Sequence, residues 1–204
     1  MYKSNFSRLM LKLAMTAVVL VLGGCGGGGQ SDDVSQPIPF DPVADQYDSN
    51  SINIGSISYD NTVRNGILLG VKHVNEAGGV LGKSLNVVAF VAASADESVK
   101  LAQALLDKDI QVINVSYSSR SKVVSELTIP RKVVLISESA TSTFFTDYAD
   151  DDFYFRLAPS DVHQGRVLAE VALNNGATTA VTLFNEGDAY GDTLTREFKV
   201  NFVA

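Results

Sequence analysis

Residues 85–116 read LNVVAFVAASADESVKLAQALLDKDIQVINVS, and this stretch decides the fold. Its two ends, 85–92 and 110–116, are short aliphatic runs, the pattern of strands buried on both faces of a parallel sheet. Between them Ser94-Ala-Asp-Glu97 is a capping box, and Val99, Ala102, Leu105 and Leu106 share one face of the helix it starts, 95–107. Strand, helix and strand in that order make a right-handed parallel crossover. The same texture continues on both sides. It predicts strands at 52–58, 132–137 and 179–184, and helices at 61–76, 119–128, 161–174 and 189–200. Glu76-Ala-Gly-Gly79 ends the first helix with the left-handed stop that glycine supplies. The fold class is α/β, an open parallel sheet with helices on both faces. A crossover is expected near Arg156-Leu-Ala-Pro-Ser160, where Ser160 can cap a new helix.

The start of the chain has a different character. Lys3, Arg8 and Lys12 precede Leu13–Leu22, ten residues with a single hydroxyl, about 15 Å of helix and half of a bilayer core. Leu22-Gly-Gly-Cys25 follows, an aliphatic residue, two tiny ones and the chain's only cysteine. That is the pattern of a lipoprotein signal peptide over 1–24, with Cys25 as the lipidated residue and the membrane contacted through the lipid anchor. Removing 1–24 takes three of the 16 basic residues and none of the 23 acidic ones, which leaves a net charge of −10. Such a chain, with no basic stripe, is not expected to bind nucleic acid. Residues 25–50, rich in Gly, Ser, Pro and acid, read as a flexible tether. A first lobe is expected over 51–157. Residues 158–204 would begin a second lobe, too short to bury a core of its own, so the chain reads as truncated.

In open α/β sheets ligands bind beyond the carboxyl ends of the strands, where helix N-termini present free N–H groups. Two such ends are rich in hydroxyls, Ser116-Tyr-Ser-Ser119 and Ser137-Glu-Ser-Ala-Thr141. They would offer a carboxylate hydroxyls and backbone N–H groups without any basic side chain. The competing assignment is that these serines are caps and turn residues. His73 and His163 have no partners at ligand spacing, and Asp147-Tyr-Ala-Asp-Asp-Asp152 lacks the spacing and glycine of a calcium loop. No nucleophile–base pair and no phosphate-binding loop is found, so neither catalytic residues nor a metal or cofactor is expected.

Five segments together resemble the type I periplasmic binding proteins of ABC transporters, in the leucine/isoleucine/valine-binding branch. They are Asn75-Glu-Ala-Gly-Gly-Val-Leu-Gly-Lys83, Ser118-Ser119, Ile136-Ser-Glu-Ser-Ala-Thr141, Phe155-Arg-Leu-Ala-Pro-Ser-Asp-Val-His-Gln-Gly165 and Asp188-Ala-Tyr-Gly191. The resemblance implies a non-enzymatic protein that captures an amino acid or similar small solute between two lobes and delivers it to an ABC permease, outside the cytoplasm. It assigns Ser118, Ser139, Ala140 and Thr141 to the ligand's carboxylate and ammonium groups, and Tyr190 to the closing lobe. Two departures stand out. Relatives have a longer loop after the first strand, whereas Ser58-Tyr-Asp-Asn61 runs almost straight into the helix, and Glu138 replaces a usually uncharged residue. A sensor or regulatory lipoprotein that uses the same fold to contact a membrane or cell-wall enzyme is the alternative.

Overall fold

The computed structural model describes Val43 and residues 45–203. The signal segment, Cys25 and most of the tether lie outside them. Among the described residues five strands form one parallel sheet: β1 (Ile52–Ser58), β2 (Leu85–Val91), β3 (Val112–Val115), β4 (Val134–Ser137) and β5 (Tyr154–Arg156), in the order β2-β1-β3-β4-β5. The helices are α1 (Asn61–Glu76), α2 (Ala95–Leu106), α3 (Ser118–Thr128), α4 (Asp161–Asn174) and α5 (Ala189–Phe202). In this order the connections leave β1 and β3 in opposite directions, which opens a crevice at the carboxyl ends of those two strands.

Local chemistry explains the boundaries. Asp60 caps α1 by accepting from the N–H groups of Thr62 and Val63. At its other end Asn75 ties the helix to β2, donating to the Leu85 carbonyl at 2.9 Å and accepting from the Leu85 N–H at 2.7 Å. Gly79, at φ +75°, follows at a close approach: a Cβ there would lie 2.1 Å from the Lys83 carbonyl oxygen. Ser94 caps α2 through the Glu97 N–H, and the Glu97 carboxylate accepts in return from the Ala93 N–H at 2.6 Å. Ser160 caps α4 through Val162.

The core lies between the sheet and helices α2 and α3. Ile57, Val88, Ile113, Val115 and Leu135 from the strands meet Ala102, Leu105 and Val124 from the helices, all closed to solvent. Each such aliphatic side chain contributes about 1.5–3 kcal/mol on leaving water. Beside β5, the Phe145 and Tyr154 rings stack with centroids 4.3 Å apart. On the opposite face α1 packs against β1 and β2, as the open α/β reading expects. No residue of α1 is buried, and Leu68 and Leu69 are exposed.

Three readings of the sequence are corrected. Residues 45–50, taken as the end of the tether, belong to the fold. The Gln46 carbonyl accepts from the Asn86 amide, its side chain accepts from the Ala89 N–H, and Val43 is fully buried. This covers the outer edge of β2. Residues 179–184 form no strand, because no neighbouring strand offers them hydrogen bonds, and Val181 and Leu183 are 89% and 94% exposed. In turn β5 forms at Tyr154–Arg156, where no strand was expected.

Candidate functional site

A cleft of about 860 Å³ opens over the carboxyl ends of β3 and β4 and is closed on its other side by the start of α5. The first turns of α2, α3, α4 and α5 all contribute lining residues, and the first turn of a helix carries positive potential. Ser118, Ser139, Thr141 and Tyr190 all line it. Ala140 does not. Its side chain is fully buried in the core, and its N–H donates to the Ser137 hydroxyl at 3.2 Å. β4 ends at Ser137 and the chain bends at Glu138 and Ser139, so the alternation of an extended strand does not carry through to Ala140.

The hydroxyls are not equally available. Ser139 accepts from the Tyr117 N–H at 3.0 Å and donates to the Glu138 carboxylate at 3.0 Å, so both its roles are filled. The other Glu138 oxygen accepts from the Asn114 amide at 3.0 Å. Thr141 lies against Asp161, which is 1% exposed and has one carboxylate oxygen without a partner. Burial pushes the Asp161 carboxyl above its ordinary value, with Thr141 and Arg156 opposing that rise. Ser118 accepts from the Ser142 N–H at 3.1 Å and keeps its own proton to donate. It is not the cap of α3. Tyr117 holds that position with no side-chain capping bond, at φ 71° and ψ 150°, a conformation that non-glycine residues rarely enter. The Tyr117 carbonyl accepts from the Ser121 N–H at 2.9 Å.

Long-range bonds seat α5 over the cleft. Ser119 donates to the Asp188 carboxylate, and its oxygen accepts from the Ala189 N–H at 3.1 Å. Asp188 also caps α5 by accepting from the Gly191 N–H at 2.8 Å. Ser142 donates to the Ala189 carbonyl at 2.8 Å, and its oxygen lies 3.0 Å from that of Thr193.

Arg120 is a lining residue that hydroxyl spacing did not reveal, and it corrects the expectation of a site without a basic side chain. It is 7% exposed, and its Nη2 donates to the Ala93 carbonyl at 3.2 Å, while Nη1 is buried with no partner. The guanidinium lies 5.4 Å from the Tyr59 ring centre and 5.5 Å from that of Tyr117, which are themselves 4.7 Å apart. Partial desolvation first, and the neighbouring Tyr59 second, hold the Tyr117 phenol above its ordinary value. The only available signal was an arginine two residues beyond the strand-end Tyr117-Ser118 pair, which a reading of helix faces treats as solvated. Among the described residues no group of three or more His, Cys, Asp or Glu is placed to hold a metal ion, and no helix is long and apolar enough to cross a membrane. The arrangement suits holding an anion by preset donors.

Residues 55–204 match the family model for periplasmic binding protein. The Leu/Ile/Val-binding protein BraC3 of Rhizobium johnstonii is 26% identical over 149 residues, which are 72% of this chain and 40% of that protein. An ABC transporter substrate-binding protein of Desulfitobacterium hafniense is similar at 28% identity with a TM-score of 0.62, over 75% of this chain and 47% of its own, and has also been solved in complex with Leu. A leucine-binding protein of Thermotoga maritima, at 22% identity and a TM-score of 0.65, shares the fold. The chain thus spans 40–47% of the length of these proteins. With the match reaching from β1 to the last residue, the chain belongs to the periplasmic binding protein family.

Proposed function

We propose that this chain is a lipid-anchored, extracytoplasmic solute-binding protein that captures an amino acid or similar small solute for an ABC permease, without making or breaking bonds. The observation that supports it most is the cleft. Residues from three separate parts of the chain, Ser118, Ser139 with Thr141, and Tyr190, line one space ringed by helix N-termini. Charge-assisted hydrogen bonds from such preset donors each contribute about 1.5–3 kcal/mol toward a carboxylate. The relatives named for leucine, isoleucine and valine favour the branched-chain or related amino acids as the class to test first. In this reading the first ligand-binding lobe runs to residue 157 and includes residues 45–50, and 158–204 begin the second. Cys25 fastens the protein to the membrane.

Calorimetric titration of the 204-residue chain with a panel of amino acids tests the reading. Saturable binding of one solute per chain, weakened by Tyr190→Ala, is the expected result. A folded chain that takes up no member of the panel would remove the basis for the proposal.

A further inference from the structure

The cleft offers very little aliphatic surface. Among the described residues that line it there is no valine, leucine, isoleucine, methionine or phenylalanine. Its large apolar surfaces are the rings of Tyr117 and Tyr190, both exposed. A branched side chain entering here would exchange water for hydroxyls, side-chain amides and two rings, so burial gives it little advantage. Tyr117 is the better prepared of the two tyrosines. Its φ of 71° would suit glycine, and an outlier of this kind in a cleft points to a use for the side chain it carries. The ring is also fixed in place. The Arg120 guanidinium lies 5.5 Å from its centre, and the Tyr59 ring centre 4.7 Å away. Arg120 is 7% exposed and Tyr117 42%, so the arginine braces the ring from the protein side and the open part of Tyr117 is left to the cleft. Ser118, which keeps its hydroxyl proton to donate, is the next residue in the chain. A solute carboxylate held at the α3 N-terminus therefore has this ring as its immediate neighbour.

We propose that Tyr117 is a specificity-determining residue, and that this cleft selects amino acids with an aromatic side chain over branched aliphatic ones. The proposal rests on the solute-binding reading above and narrows its ligand class. The flat ring of the solute lies against Tyr117 in an offset or edge-to-face contact, which adds to the area the two rings bury. Because the tyrosine is set beforehand by Arg120 and Tyr59, the contact costs it little side-chain freedom.

The experiment titrates the 204-residue chain with L-phenylalanine, L-tyrosine, L-cyclohexylalanine and L-leucine in a calorimeter. Cyclohexylalanine has the bulk of phenylalanine without its π-system, so comparing the two reads ring–ring contact apart from size. At least one aromatic amino acid should bind roughly two- to tenfold tighter than cyclohexylalanine, and tighter than leucine. Tyr117→Leu should abolish that ratio, and Tyr117→Phe should keep it. Should Tyr117→Leu not fold, the ratio measured on the unchanged chain decides alone. Cyclohexylalanine or leucine binding as tightly as the aromatic amino acids would overturn the proposal and leave the solute-binding reading standing. A ratio that survives Tyr117→Leu would also overturn it, because the selecting ring would then lie elsewhere. Binding of no member at all would overturn the proposal together with the reading beneath it.

Discussion

The backbone N–H of Ser142 donates to the hydroxyl oxygen of Ser118 at 3.1 Å, stitching together the two strand ends that flank the cleft. Both residues are closed to solvent, so the bond has no water to replace it. Ser118→Ala leaves a buried donor without an acceptor, a loss of about 1–3 kcal/mol. Thermal unfolding followed by circular dichroism should show a midpoint lowered by several degrees. An unchanged midpoint would mean that the Ser142 N–H has found another acceptor.

Asp161 gives the chain a pH dependence of unusual sign for a carboxylate. Its folded-state value is raised above the ordinary 3.8 by burial, so the folded chain holds this proton more tightly than the unfolded one. The stability that follows is fully present below 3.8 and is lost as pH rises through the raised value. Asp161→Asn removes that component. Melting curves across the acidic range should fall less steeply with rising pH in the variant, and parallel curves would contradict the assignment.

Helices α4 and α5 meet at Gly165. A Cβ there would stand 2.4 Å from the Glu197 Cβ and 2.9 Å from the Phe198 nitrogen, so the α5 backbone itself would have to shift. Gly165→Ala should cost about 1–3 kcal/mol. Because Asp188 caps α5 and Tyr190 lies in its first turn, the proposed solute binding should weaken in the same variant. Calorimetry measures both effects on one sample, and a variant that melts and binds like the parent would refute the close crossing.

Burial pushes the Tyr154 phenol up to about 12, with hydroxyls of Ser121 and Ser137 opposing it. The folded chain holds this proton more tightly than the unfolded one, so the group's stability is lost as pH rises from 10.0 through about 12. In an ultraviolet titration one tyrosine should ionise late, in step with unfolding, and Tyr154→Phe should remove it. A variant with the parent's titration curve would place the late group elsewhere.

Lipid attachment is testable without a structure. Cys25→Ala should leave an unprocessed precursor that incorporates no radiolabelled palmitate, since no other thiol exists in the chain. Undiminished labelling would rule out Cys25 as the site.

The legible part of the fold was the part made by periodicity and caps. Helix α1 ends at the Glu76–Gly79 turn and α4 begins after Ser160, as read from the sequence, because those devices act within a few residues. The pairing of strands is another matter. Val181 and Leu183 have the composition of a strand, yet a strand exists only with a neighbour, and none is offered. Tyr154–Arg156 has almost no pattern of its own and becomes a strand because β4 lies beside it. In the site, hydroxyls at strand ends could be read from turn chemistry. Their mutual commitments could not, since the Ser139–Tyr117 bond spans 22 positions and the Ser119–Asp188 bond 69. Arg120 escaped for the same reason, as the reach of a long side chain leaves no trace in spacing.

Tyr117 occupies backbone angles that glycine enters freely, clamped at its N–H by Ser139 and at its carbonyl by Ser121. Holding a tyrosine there costs on the order of 1–3 kcal/mol. A ring mounted on so fixed a base works as a gauge block, with its position set before any solute arrives. On the proposed solute-binding reading, adaptation to solutes of different bulk then falls to the opposite side of the cleft, where Tyr190 rides on α5. Near-isosteres should accordingly enter the cleft at similar rates and differ in how long they stay.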